Sequence, residues 1–277
     1  MGPEFMPMRS LIYVDLAKEQ YRHRLQNWLY RHHIPDSISQ FGPYVTKYAF
    51  YNALPTPPEG ERFGTIKMQL KEHYWTINPM QECLKNKALT EYFPLDVLKW
   101  QRTIPDDDQE MNMEGDDARA TGGDNGMPPF IFAFVPVWWE EDFKGKEKTV
   151  NDGPNYRWQF VMKYPEGVNP VDGDKWFYEE MIPTFKDMPE VTRILTSKII
   201  QSINGCSFHR VVEMWFAGPE EWEVAAVEKA KFIKKPEWAQ YDVFPYLKPN
   251  FEIASLFLTD MATSDNYTQY RGYITMR

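Results

Sequence analysis

Hydrophobic and polar side chains along this chain follow two periods, strict alternation and a 3.6-residue stripe. Leu11 to Leu16 alternates and predicts a strand. Lys18 to His33 carries Tyr21, Leu25, Trp28, Leu29 and His32 on one helical stripe, with Pro35 and Pro43 bracketing its exit. Tyr44 to Tyr51 and Phe63 to Trp75 alternate again, Pro79 to about Leu89 predicts a second helix, and Phe130 to Trp138 a fourth strand. A second series follows: Arg157 to Lys163, Gly173 to Ile182, Val191 to Gln201, Phe208 to Phe216, Pro219 to Ile233 and Phe251 to Leu258.

The two series are related. Trp28-Leu-Tyr-Arg-His-His-Ile-Pro35 aligns without a gap on Trp176-Phe-Tyr-Glu-Glu-Met-Ile-Pro183, and Val45-Thr46-Lys47 matches Val191-Thr192-Arg193. Lys71-Glu72-His-Tyr-Trp75 then falls near Val212-Glu213-Met-Trp-Phe216, with Pro79 and Pro219 after them. Three matches in one order argue for duplication. Strand, helix, strand, strand, helix, strand is the ferredoxin-like split unit. Two such units can hide their antiparallel sheets against each other, so the sequence predicts an α+β fold of two tandem βαββαβ units packed face to face. The predicted division is 6–150 and 151–277, the latter with a C-terminal tail. Met1-Gly-Pro-Glu-Phe5 reads as a cloning scar before a native start at Met6. Residues 102–129, with Asp106-Asp-Asp108, Asp116-Asp117 and Gly122-Gly123, read as an acidic surface insertion in the first unit that does not meet the calcium-loop pattern.

Composition narrows the partners. The longest apolar run, Phe130 to Trp139, is about half of the ~20 residues a membrane-spanning helix needs. A net charge of -9 with no segregated basic stripe disfavours nucleic acid. Two cysteines, Cys83 and Cys206, supply neither a disulfide framework nor a thiolate zinc site, and a reducing cytoplasm is the expected location. The 10 Trp and 16 Tyr join apolar faces to polar handles, which suits either an aromatic core or the wall of a pocket for a hydrophobic aromatic small molecule.

Trp28-Leu-Tyr-Arg-His-His-Ile-Pro35, together with Val212-Glu-Met-Trp-Phe-Ala-Gly-Pro-Glu-Glu-Trp222, resembles the EthD-type branch of the dimeric α+β barrel superfamily. Relatives there normally pair two single-unit chains, so a tandem chain would contain the pair. The resemblance implies a pocket between sheet and helices for aromatic or polyketide-like compounds, and a histidine at the end of the first helix beside it. That singles out His32 and His33, and the stripe from Leu25 and Trp28 favours His32 as the inward one, leaving His33 a capping or edge residue. Glu180 aligns with His32 and is either a salt-bridged structural residue or a second acid/base group. Tyr48, His73 and His209 on the alternating strands complete the candidate acid/base set. Tyr13, Trp28, Tyr44, Tyr51, Trp75, Trp176 and Trp215 are candidates to line the pocket. Odd positions of each strand share a face, so His73 goes with Trp75, and His209 with Glu213 and Trp215.

The chain has no Gly-rich phosphate loop, no HExxH and no Gly-x-Ser-x-Gly elbow, and the spacing of its five histidines demands no metal. The expectation is therefore an enzyme without cofactor or metal: a lyase, isomerase or cyclase that moves protons through histidine on an aromatic substrate. Alternatives are a cofactor-free monooxygenase of phenolic compounds, haem bound through one histidine, and a ligand-binding module. A homodimer of such chains is a further expected partner.

Overall fold

The computed structural model describes residues 9–15, 45–75, 132–137, 139–148, 155–200 and 207–265, together with Arg22, His23, Gln26, Tyr30, Ile34 and Ile38 of the first helix. Among these residues ten strands make two antiparallel sheets. Sheet one is ordered β10-β2-β3-β1-β4, from β1 (Arg9–Val14), β2 (Val45–Asn52), β3 (Gln69–Trp75), β4 (Phe132–Val137) and β10 (Ser264–Asp265). Sheet two is ordered β5-β7-β8-β6-β9, from β5 (Trp139–Lys144), β6 (Tyr156–Met162), β7 (Arg193–Lys198), β8 (Arg210–Phe216) and β9 (Ile253–Leu258). The order within the sheets is the same: β3 and β8 are central, and β1 and β6 lie between them and the edge strands β4 and β9. Registers match too, since Arg9 lies opposite Tyr74 and Leu11 opposite Glu72, as Arg157 lies opposite Trp215 and Gln159 opposite Glu213. This is the predicted pair of ferredoxin-like sheets, in the dimeric α+β barrel arrangement within one chain.

Two strands are absent from the sequence reading. β5 follows β4 directly yet pairs with β7 of the other sheet, and β10 follows β9 and pairs with β2. Each half thus lends an edge strand to the other's sheet, which caps an edge that would otherwise be open. The sequence division at 150 leaves β5 in the first half although its hydrogen bonds belong to the second sheet.

Alternation sorts every strand into an inner and an outer face. Leu11, Tyr13, Ala49, Tyr51 and Leu70 of sheet one meet Val161, Val211, Ala254, Leu256 and Leu258 of sheet two in one buried layer between the sheets. On the outer face of sheet two, Trp158, Phe160, Met214, Phe216 and Phe257 pack beneath two helical segments. The first comprises α1 (Pro170–Trp176), a π-helical turn (Phe177–Met181) and α2 (Ile182–Asp187); the second opens with α3 (Pro219–Glu223) and widens into a π-helical turn (Val224–Lys229). Asn169 caps α1 by accepting from the Val171 N–H at 2.9 Å, and Pro170 costs nothing at the first turn. Pro183 removes an N–H inside the helix. The turn before it answers this by opening, with the Ile182 N–H bonding five residues back to the Phe177 carbonyl. Tyr30, the counterpart of Tyr178, is also in π-helical backbone, and Ile34 and Ile38 are helical, beyond the exit that Pro35 suggests.

The connection from β2 to β3 crosses between units. Leu54 N–H donates to the Phe257 carbonyl at 2.7 Å and Ile66 N–H to the Ser255 carbonyl at 2.7 Å, so this segment extends sheet two past β9. Gly64, at φ 65°, makes the approach, since a Cβ there would lie 2.3 Å from the Ile253 carbonyl oxygen. The connection delivers Phe63 edge-on against Trp158 and Trp222, at 5.0 and 5.6 Å between ring centroids. The sequence reading ran a strand from Phe63; residues 60–63 form instead a 3-10 turn that plugs the second unit. The predicted helix from Pro79 and the acidic insertion at 102–129 lie outside the described residues. Among the described residues no helix is long and apolar enough to cross a membrane.

Candidate functional site

The two outer faces differ in chemistry. On sheet two the outer face is aromatic and aliphatic and closed by Phe63. On sheet one the corresponding face keeps Ile12, Val14 and Phe50 but also buries Ser10 on β1, Tyr48 on β2, and Gln69, Lys71, His73 and Trp75 on β3. Through the matched registers His73 stands where sheet two has Met214, Lys71 where it has Val212, Ser10 where it has Trp158, and Trp75 where it has Phe216. Burying such groups is costly unless they are bonded or used.

Their geometry is specific. Trp75 Nε1 donates to Ser10 Oγ at 2.9 Å, and Ser10 Oγ lies 3.3 Å from His73 Nδ1, its cross-strand partner. The His73 ring stacks on Tyr48 at 4.2 Å between centroids and 17° between planes. Burial above all, with the Lys71 ammonium beside it, pulls the imidazole down to about 3, so it is neutral at pH 7. Lys71 lies 5.5 Å from the Phe50 centroid, and burial brings its ammonium down to about 7. At the end of β3, Gln69 Nε2 donates to the Tyr30 hydroxyl at 3.1 Å and to Asn52 Oδ1 at 2.8 Å. The same contact recurs in the second unit, where Arg210 Nη2 donates to the Tyr178 hydroxyl at 2.6 Å. The face therefore combines a neutral imidazole, an ammonium near its titration point, a phenol and an indole, groups that can stack, hydrogen-bond and exchange protons.

The inner layer holds a different cluster at one end. Glu72 accepts from Arg9 at 3.2 Å, Lys47 at 3.2 Å and the Tyr51 hydroxyl at 3.0 Å. Glu213 accepts from Arg9 across the sheets and from Arg157 at 3.3 Å, and Arg157 pairs with Asp260 at 3.4 Å. Burial alone would raise the Glu72 carboxyl, but Arg9, Arg157, Lys47 and the Tyr51 hydroxyl outweigh it and hold it at about 2. Arg9 and Arg157, like Glu72 and Glu213, occupy equivalent places, so the cluster is a two-fold clasp joining the sheets.

Against this geometry, a family match falls on one part of the chain. The chalcone isomerase N-terminal domain family matches residues 5–106. That is less than half of the chain, but it includes β1, β2 and β3, which carry the polar outer face. No curated protein matches. Among solved structures, an anthrone oxidase-like protein is 8% identical, with 95% of this chain and 92% of that one covered and a TM-score of 0.48. Chlorite dismutase from Candidatus Nitrospira defluvii in complex with imidazole is 6% identical, with 94% and 92% covered and a TM-score of 0.44. Likenesses this distant carry no activity across.

Of the residues singled out by sequence, the structure gathers Tyr48, His73 and Trp75 on the outer face of sheet one. Tyr13, Tyr51 and Trp215 lie instead in the inner layer. Tyr51 bonds Glu72, Trp215 Nε1 donates to Asp260 at 2.6 Å, and burial pushes the Tyr13 hydroxyl well up. Trp176 is core, its Nε1 donating to the Lys234 carbonyl at 2.8 Å. His209 Nδ1 accepts from the Tyr164 N–H at 3.0 Å, a structural bond far from the polar face. Glu180 is not on the inward stripe. Phe177, Met181 and Phe185 form that row, because the widened turn advances the helix past the position that a count of four from Trp176 selects. Trp28, His32, His33 and Tyr44 lie outside the described residues. Lys71, Ser10 and Gln69 were missed; alternation in step with His73 and Trp75 was the signal that could have found them.

Proposed function

We propose that this chain is an isomerase, or a related lyase or cyclase, that moves protons by general acid/base chemistry on a hydrophobic aromatic compound, with its site on the outer face of sheet one. The carrying observation is the asymmetry of the outer faces: Ser10, Tyr48, Lys71, His73 and Trp75 are buried where sheet two has a closed apolar core. The match of residues 5–106 to the chalcone isomerase N-terminal domain favours isomerisation and, as substrate, a hydroxylated aryl enone of the chalcone type. Closing a ring in such a compound forms a bond from phenol oxygen to the β-carbon and returns the phenol proton to the α-carbon. No further reactant is required. In the gapless alignment His33 falls opposite the buried Met181 and His32 opposite the half-exposed Glu180, which supports His33 rather than His32 as the proton-transferring member of that pair. Duplication of one ancestral unit, with EthD-like ancestry, belongs to the same reading and draws support from the Arg9/Arg157 and Glu72/Glu213 equivalences.

The test is incubation of the purified chain with a panel of hydroxylated chalcones, following loss of the enone absorbance. Turnover that falls at least a hundredfold in His33→Ala and in Lys71→Met supports the reading. Retention of the compounds without turnover would make the chain a binding module. Oxygen uptake with substrate, or a Soret band in the purified protein, would replace the proposed chemistry with oxygenation or haem chemistry.

A further inference from the structure

We infer that His73 serves the site as a neutral hydrogen-bond donor through Nε2, held in that tautomer by Ser10 and Trp75, and stabilises negative charge on a substrate oxygen. The inference rests on the proposed site, and its argument is one of hydrogen-bond direction. An indole N–H only donates, so Ser10 Oγ is the acceptor in its 2.9 Å contact with Trp75. Among the described residues the one acceptor in contact with the Ser10 hydroxyl is then His73 Nδ1, at 3.3 Å. The oxygen could accept from both rings, but its own buried O–H would then have no acceptor among the described residues, so Ser10 gives its proton to that contact. A neutral imidazole that accepts at Nδ1 carries its hydrogen at Nε2.

Among the described residues Nε2 has no hydrogen-bond partner, while the ring is fixed from its faces by Tyr48 at 4.2 Å and Trp75 at 5.7 Å. An N–H whose ring cannot turn, in a buried site, requires little reorganisation when an oxygen beside it gains charge. A neutral imidazole is a sound donor for an enolate-like oxygen, because it holds its proton firmly. The low basicity of His73 argues in the same direction, since a group this hard to protonate is a poor base. None of the three polar groups recurs in sheet two, where Trp158, Met214 and Phe216 take their places. The assembly is therefore not required by the fold. Ser10 and Trp75 are positioning residues; His73 is the group that touches the substrate.

Two measurements test this. Long-range 15N–1H correlation spectra of the histidine-labelled protein, with His73 assigned by its loss in His73→Phe, report the tautomer directly. The expected pattern is neutral Nε2–H from pH 5 to 8, retained in Ser10→Thr and mixed in Ser10→Ala or Trp75→Phe. Saturating unhydroxylated chalcone, which has the ketone but no phenol to add, should shift the Nε2 signal. An Nδ1–H pattern, an imidazolium in that range, an unchanged tautomer in both Ser10→Ala and Trp75→Phe, or no shift with the probe overturns the inference. In turnover, His73→Phe should lose about a hundredfold in kcat with little change in KM, and His73→Gln, which can donate but not act as a base, should recover much of it. Equal loss in both would make His73 a base and overturn the donor role. If the wild type turns over no chalcone, the proposed reaction falls, and the tautomer and probe shift still decide this inference.

Discussion

Replacing Glu72 with glutamine removes one charge from the clasp between the sheets while keeping its shape. The carboxylate is 2% exposed and accepts from Arg9, Lys47 and Tyr51, so the amide of Glu72→Gln would point hydrogens at groups that are themselves donors. Holding a carboxyl at about 2 against an ordinary 4.5 corresponds to about 3 kcal/mol. The loss should not exceed this, because Arg9 keeps Glu213, and Lys47, which is partly exposed, keeps the Tyr51 hydroxyl and water. Since the folded-state value is depressed, the contribution is complete above pH 4.5 and disappears as pH falls through about 2. Urea unfolding of wild type and Glu72→Gln should therefore differ by about 3 kcal/mol at pH 7 with equal slopes, a fall of roughly 6–10 °C in Tm. The difference should shrink steadily between pH 4.5 and 2.5. Equal stability at pH 7, or a gap as large at pH 2.5 as at pH 7, would refute the electrostatic account of the clasp.

Two other perturbations follow from the same geometry. Phe63→Ala empties a ring from the closed core of the second unit and should cost about 3–5 kcal/mol in urea unfolding, with altered near-ultraviolet dichroism from Trp158 and Trp222; a loss below about 1 kcal/mol would mean that Phe63 does not close that core. The Lys71 ammonium, lowered to about 7, should give the turnover rate a limb near neutrality; Lys71→Arg, charged throughout, should remove the limb, and a profile identical to wild type would separate Lys71 from the chemistry.

Much of this was written along the chain. Alternation at Leu11 to Leu16, Tyr44 to Tyr51 and Phe208 to Phe216 found strands within a few residues of β1, β2 and β8, because a sheet buried on one face imposes its period on the sequence. The Trp-x-Tyr and Ile-Pro matches set Tyr30 beside Tyr178 and Ile34 beside Ile182, all four in helical backbone, and period 2 put His73 and Trp75 together. Period alone could not say which face of a strand looks inward. The buried layers of this molecule both contain aromatic rings, so Tyr13, Tyr51 and Trp215 read as pocket residues although they belong to the layer between the sheets. Glu180 was misplaced because a 3.6-residue count does not foresee a turn widened ahead of Pro183.

The sequence by itself determined the order of the strands other than β5 and β10, and the supply of aromatic and ionisable side chains, since these depend on local periodicity and composition. Tertiary structure alone decided the exchange of β5 and β10 between sheets, the joining of Glu72 and Glu213 through Arg9, and the use of Phe63 to close one outer face while the other keeps Lys71 and His73. Those outcomes depend on contacts between residues far apart in the chain, whose partners no local pattern names.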